Sequence, residues 1–352
     1  MAPLELTTVV ASVAVRSALA LIRERIDNEA PPIDQGGDGS SLAPPDRRLS
    51  SGVSFDDDRP IPTLFVEREG GWGQAKAEEV AESLPGNTNV VVRGTGQSLW
   101  PRQPVSSRRG APVRVGASVS NYRGSAGTLT CLVTDSESGQ LGFVSAGHVM
   151  SMLNRAKTGD APHGDPIIRP GNPDGPKSTR NRIGYLREFV YLSHHDDELA
   201  DVALDNSEDV ALGLFDKDVG CDELNLVPDP KDPASLRRVS PSPPLEDLVR
   251  QYGSQRVFKV GRTTKLTAGR LVGIETGRCP IMLPDRRIYI FSGLILIERE
   301  KRAPFSSDGD SGALVYTEDF KALGIVIAGN DRYSWASPID ACLEAVGAKL
   351  LT

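Results

Sequence analysis

The chain has 352 residues, with 40 lysines and arginines against 47 aspartates and glutamates, for a formal charge of −7 at pH 7. That balance argues against a nucleic-acid partner, which would require a basic stripe. A content of 39% hydrophobic and 25% charged residues fits a soluble globular protein large enough for two small barrels and an extension.

Residues 1–27 contain the apolar runs Val9 to Val15 and Ala18 to Ile22. Glu5 precedes them, Arg16 interrupts them and no basic segment leads them, so neither an export signal nor a membrane span is expected. An amphipathic helix is the better reading, with its apolar face turned to a regulatory protein or to the body of the molecule. Residues 28–62 are rich in Pro, Gly, Ser and Asp, including Asp56-Asp57-Asp58, and read as a flexible linker. Between 63 and 96 the pattern changes. Thr63 to Val66 reads as a strand, Gly73 to Leu84 as a helix with Ala77, Val80, Ala81 and Leu84 on one face, and Asn89 to Val92 as a second strand, together a small β-α-β element. Residues 97–112 form another connection, in which Arg108-Arg109-Gly110 is a candidate processing site.

From Val113 the chain becomes a succession of short apolar runs separated by turns, the pattern of antiparallel barrels. Residues 113–214 are expected to form a first barrel, the proline-rich stretch 215–250 a connection, and 251–352 a second barrel. The chain then ends in a helix that begins near Pro338 with Ser337 as its cap. Cys131, Cys221, Cys279 and Cys342 show no metal-ligand spacing and read as free thiols of a reducing compartment, which places the protein in the cytoplasm. No metal or cofactor is called for. The run His194-His195-Asp196-Asp197-Glu198 reads as a solvated charged loop.

Three stretches carry chemistry. Asp308-Gly309-Asp310-Ser311-Gly312 sets a serine between glycines on a turn before the apolar run Leu314-Val315-Tyr316. A nucleophile in this position could share an oxyanion hole made by the N–H groups of Gly309 and Ser311. Of the four histidines, only His148 ends an apolar strand, after Ser145-Ala146-Gly147. His163, His194 and His195 lie in loops. Asp201, in Ala200-Asp201-Val202-Ala203-Leu204, places a carboxylate in a short apolar run, where it needs a partner such as the His148 imidazole.

In the order His, Asp, Ser, these segments resemble the active-site segments of trypsin-like (chymotrypsin-fold) serine peptidases. Lys259-Val260-Gly261-Arg262-Thr263-Thr264 through Thr267 and Gly269, Ser125 to Leu129 and Arg169-Pro170-Gly171 are similar to the bacterial subgroup related to plant narrow-leaf-type proteases. The resemblance spans residues 113–352. It implies an all-β core of two antiparallel six-stranded barrels with a C-terminal helix, here preceded by a small α/β extension, and a His148–Asp201–Ser311 triad acting through an acyl-enzyme on a protein or peptide substrate. It also implies that Asp310 orders the serine turn, in some relatives by pairing with a new N-terminus. Phe305 stands where the trypsin branch carries its pocket acid, and Ile327, Ala328 and Gly329 should form the pocket wall, so an apolar or small P1 residue is expected. Analogy alone suggests a regulated intracellular enzyme of a stress or antiphage module. A scaffold with little activity, working through its N-terminal element, is the alternative.

Overall fold

The computed structural model describes residues 18–22, 49–56, 59–66, 72–82, 84 and 91–94, and 112–352 except for 160–162, 173, 176–178, 195–204, 242–254, 276 and 278. The N-terminal layer consists of β1 (Leu49–Asp56), β2 (Arg59–Val66), α1 (Trp72–Glu82) and β3 (Val91–Gly94). The first half of the core runs through β4 (Ser118–Asn121), β5 (Gly127–Thr128), β6 (Cys131–Asp135), β7 (Leu141–Ser145), the single turn α2 (Gly147–Met150), β8 (Pro166–Ile168), β9 (Arg182–Phe189) and β10 (Ala211–Phe215). The hairpin β11 (Leu226–Pro228) and β12 (Leu236–Arg238) lies in the connection between the halves. The second half comprises β13 (Arg256–Gly261), β14 (Lys265–Glu275), β15 (Cys279–Met282), β16 (Ile288–Phe291), β17 (Leu294–Arg299), β18 (Leu314–Thr317), β19 (Ala322–Gly329) and β20 (Tyr333–Pro338). Helix α3 (Ile339–Ala345) and β21 (Ala348–Leu350) end the fold.

The second half closes on itself. Its strands run β13-β18-β19-β20-β17-β14, and β14 pairs back with β13, giving a six-stranded barrel. The first half is not a six-stranded barrel but a curled eight-stranded half-barrel, ordered β21-β6-β7-β10-β9-β8-β4-β5. Its outermost strand on one side is the C-terminal β21, which pairs with β6. The terminal helix begins at Ile339 with Pro338 at the cap position and makes no side-chain capping bond, so the expected Ser337 cap is not used.

β2 and β3 pair in parallel, with α1 between them in the chain. The linker reading of 28–62 does not extend across its whole range, because residues 49–56 form β1, which pairs with β2 over its full length and with Gly273–Glu275 of β14. Ser51 and Ser54 made this stretch look like linker, yet both are buried, and Ser54 hydrogen-bonds to Thr63. The N-terminal layer therefore continues the second barrel's sheet where β14 runs past the barrel. Leu19 and Ile22, in the helical residues 18–22, are buried in the same apolar cluster as Leu64, Val80, Leu271 and Ile295. That helical turn docks on its own protein. Residues 28–48 and 97–111, with Arg108-Arg109-Gly110, lie outside the described residues. No helix among the described residues is long and apolar enough to cross a membrane.

Phe65 on β2 is buried against a third cluster formed by the β15–β16 hairpin (Ile281, Tyr289, Phe291), Leu192 of the first half and Ile327 of β19. Truncation of a buried phenylalanine creates a cavity as well as losing transfer free energy. Phe65→Ala is expected to cost about 3–5 kcal/mol, read as a lower urea midpoint at unchanged m-value.

Candidate active site

His148 lies in α2, immediately after β7. Antiparallel pairing sets Ala211 of β10 opposite Ser145 of β7. Continued outward by two residues, that register brings Asp209 to Gly147 and His148. The carboxylate of Asp209 takes the backbone N–H of His148 on Oδ1 at 2.8 Å and the imidazole Nδ1 on Oδ2 at 2.5 Å, and both side chains are almost fully buried. Nδ1 is thus the ring nitrogen engaged by the carboxylate, and Nε2 is the one available to a further partner. A Cβ at residue 147 would stand 2.8 Å from Asp209 Oδ1, which explains why the residue before His148 is glycine.

Asp209 is not the aspartate expected from sequence. Asp201 falls outside the described residues, and the carboxylate bonded to His148 belongs to the second of two identical tetrapeptides, Asp201-Val202-Ala203-Leu204 and Asp209-Val210-Ala211-Leu212. The first copy is followed by the polar Asp205-Asn206-Ser207, whereas the second continues into the apolar Leu214-Phe215. That longer run was the signal that could have distinguished them. Asn206 anchors the segment before Asp209. Its side chain bonds to the backbone of Ser193 on both sides and to the carbonyl of Ile290 on the β15–β16 hairpin.

Ser311 sits on a turn whose carbonyls are held from outside. Thr263 Oγ1 donates to Asp308 O (2.6 Å), Thr128 Oγ1 to Gly309 O (2.8 Å), Thr128 N to Ser311 O (2.8 Å) and Thr130 Oγ1 to Gly312 O (2.6 Å). Gly309 has φ +87° and Gly312 φ +91°, the left-handed region that favours glycine. Among the described residues, the N–H groups of Gly309 and Ser311 make no hydrogen bond, while the Asp310 N–H between them is taken by Ser307 O. The turn lies beside the histidine segment, since a Cβ at Gly312 would come within 3.1 Å of Ala146 N. The Ser311 hydroxyl, however, is 3.4 Å from the Ile327 carbonyl and, among the described residues, makes no hydrogen bond to His148.

Beneath the turn is a fully buried ion pair. Asp310 accepts from the N–H groups of Thr263, Thr264 and Ser307 and from Thr264 Oγ1, and its Oδ2 lies 3.3 Å from Lys259 Nζ. The ammonium also donates to Thr264 Oγ1 and to Lys265 O. The cation beside Asp310 is thus an internal lysine.

A small cleft is lined by Ser306, Ser307, Asp308, Ser311, Val326, Ala328 and Gly329. Ala328 and Gly329, expected in the pocket wall, line this cleft. Phe305 does not, because its side chain is buried in the barrel core. Ile327 likewise turns its side chain into the cluster under the β15–β16 hairpin and offers only its carbonyl to Ser311. The hydroxyls that sequence reasoning missed are Ser306 and Ser334, paired at 2.7 Å, and a Cβ at Gly329 would meet both. The remaining polar candidates stand apart. His194 contacts Arg287 Nη1 (2.7 Å) and the Tyr289 ring, and His163 is exposed. All four cysteines are free thiols, with Cys131 and Cys342 pushed well above the ordinary thiol range by burial. Among the described residues no cluster of His, Cys, Asp or Glu could hold a metal ion.

A closed six-stranded barrel beside a curled half-barrel, with the histidine on one and the serine turn on the other, is the chymotrypsin-like fold. Neither a family model nor a curated relative matches the chain. Solved structures that do match include a glutamic acid specific serine protease (19% identity, 68% of this chain and 100% of that one, TM-score 0.42). Thermobifida fusca Protease A (16%, 69% and 100%, 0.44) and Nocardiopsis Protease (17%, 69% and 100%, 0.43) also match.

Burial lowers the Lys259 pKa below the ordinary lysine value of 10.5, and Asp310 opposes the shift. Between the lowered folded value and 10.5 the unfolded chain binds more protons than the folded one, so this group makes stability rise with pH across that window. The expected outcome is that Lys259→Met removes this rise in urea titrations on the alkaline side. At neutral pH, Lys259→Ala strands the Asp310 carboxylate and is expected to cost about 3–5 kcal/mol.

Proposed function

We propose that the protein is a serine endopeptidase in which Ser311 is the nucleophile, His148 the general base and Asp209 the residue that holds the imidazole. One observation carries this reading: a buried Asp209–His148 pair beside a serine turn, in which, among the described residues, neither His148 Nε2 nor the N–H groups of Gly309 and Ser311 make a hydrogen bond. A serine hydroxyl is too weak an acid to ionise at neutral pH, so a base must take its proton as attack proceeds. Rotation of the Ser311 side chain away from the Ile327 carbonyl brings Oγ towards Nε2 when a peptide occupies the cleft. Catalytic hydrogen bonds of this kind are often long in the unliganded state and tighten in the complex.

Ser311 Oγ then adds to the scissile carbonyl, and the proton passes to His148. The developing oxyanion is received by the N–H groups of Gly309 and Ser311, each worth roughly 3 kcal/mol in comparable sites. His148 returns the proton to the leaving amine, giving an acyl-enzyme, and a water activated by the same imidazole releases the acid. Asp209 stays ionised and stabilises the imidazolium. The cleft favours a small P1 side chain. Phe305 is withdrawn into the core, the Ser306–Ser334 hydroxyl pair stands against Gly329, and Asp308 on the lining disfavours an acidic residue by like charge.

Labelling by a fluorophosphonate probe is expected for the wild type and lost in Ser311→Ala; a serine-independent label, or none, overturns the reading. Asp209→Asn is expected to lower kcat by about 10⁴-fold, as loss of the orienting carboxylate does in such sites, while Asp201→Asn retains activity. The opposite ranking would return the role to Asp201. On peptide anilides differing only at P1, Ala and Ser are expected to be cleaved faster than Phe, Arg and Glu.

A further inference from the structure

The peptidase reading asks two N–H groups to point at one place, and the structure shows what controls the more vulnerable of them. In a trans peptide the C=O and the next N–H lie on opposite sides of the plane. The direction of the Gly309 N–H is therefore fixed by whatever holds the Asp308 carbonyl. Glycine at 309 has no Cβ to resist a turnover of that peptide, so an external restraint is needed. Thr263 supplies one, with its hydroxyl donating to Asp308 O at 2.6 Å.

We propose that Thr263, steadied by a cross-barrel Arg262–Asp174 pair, is the positioning residue that keeps the Asp308–Gly309 peptide in its oxyanion-binding orientation. The inference rests on the peptidase reading and extends it. A threonine hydroxyl has a single proton, and here it is committed to the Asp308 carbonyl. The same hydroxyl oxygen accepts a long bond from the Arg262 guanidinium, whose Nη1 lies 3.5 Å from Thr263 Oγ1. Nε and Nη2 of the same guanidinium form a bidentate pair with Asp174 at 2.5 Å each, which leaves Nη1 directed at Thr263. Both partners are nearly buried, and Asp174, contributed by the first half of the core, also accepts from Ser118 Oγ. The guanidinium packs directly under Gly309, since a Cβ at that residue would fall 1.8 Å from Nη1. Two further bonds seat the same turn, from Thr263 N to Asp310 Oδ1 and from Arg262 N to Thr128 Oγ1. The β13–β14 turn thus reads the position of the first half of the core through Arg262 and passes it to the oxyanion peptide through Thr263.

The test compares Thr263→Val, which keeps shape but loses the donor, with Thr263→Ser, which keeps the donor, in the full chain. Thr263→Val is expected to lose about 10- to 100-fold in kcat with KM nearly unchanged, and to bind a peptide aldehyde correspondingly more weakly, because only the oxyanion is affected. Thr263→Ser is expected to restore most of both, and Arg262→Gln to show the same signature to a smaller degree. Wild-type kcat and aldehyde affinity in Thr263→Val, or equal impairment in the Val and Ser variants, would overturn the proposal. A crystal structure of Thr263→Val provides a readout independent of activity, in which the Asp308 carbonyl is expected to have turned over; an unmoved peptide counts against the inference. If the wild type shows no serine-dependent labelling, the peptidase reading fails first, and the crystallographic comparison alone still judges whether Thr263 restrains the peptide.

Discussion

A buried carboxylate is costly unless donors take up its lone pairs, and Asp310 is the point at which this chain meets that demand. Its two oxygens gather donors from the β13–β14 turn, from Ser307 and from Lys259. Ion pairs this deep recover their desolvation cost only through such bonds, and the donors gathered here also hold a conformation. Here the conformation defined is the turn that carries Ser311. The lysine comes from β13, the strand that pairs with both β14 and β18, so the charge is built into the barrel wall rather than delivered by a chain end.

From that centre the bonds spread across the seam between the two halves of the core. Thr128 is the clearest junction. Its amide and hydroxyl hold two carbonyls of the serine turn, its carbonyl accepts from Ser145 near the histidine, and its hydroxyl accepts from Arg262 N. Asn206 plays a comparable part on the other side, tying the segment before Asp209 to the β15–β16 hairpin of the second half. The relative position of the two halves is therefore set by hydrogen bonds that converge close to His148 and Ser311, and any slip between them would be felt at the site before it was felt in either core.

What could be read from the sequence was whatever lay within a few adjacent residues. The glycines flanking Ser311 and the small residues before His148 report local backbone needs, and both survive comparison with the structure. Asp209 could not be separated from Asp201 in this way, because two identical tetrapeptides differ only in which of them enters β10 and so acquires the register with β7. Phe305 was placed by its offset from Ser311, yet a side chain's direction depends on the core volume it can fill, and the second barrel takes it. Residues 49–56 looked like linker because serine and glycine dominate them. Their strand character comes from β14 and β2, which lie elsewhere in the chain. The Lys259 to Thr264 motif was visible only as a likeness, since its partners lie at Asp174, Asp308 and Asp310.

The N-terminal layer follows the same logic of exposed edges. β14 is longer than its barrel neighbour requires, and beyond the pairing with β13 it would present bare N–H and C=O groups, the kind of edge that invites pairing with another chain. β1 covers that edge, β2 and β3 extend the sheet, and α1 with residues 18–22 closes the face against the barrel. Phe65 then reaches from β2 into the cluster that supports the β15–β16 hairpin, the same hairpin that receives Asn206 and packs against Ile327, whose carbonyl faces Ser311. The extension is thus contiguous, through packed side chains and backbone hydrogen bonds, with both sides of the cleft. A domain tethered by a loose linker would have no such continuity, and its removal would leave the barrels intact. Removing this layer would strip a strand edge and open a core at once.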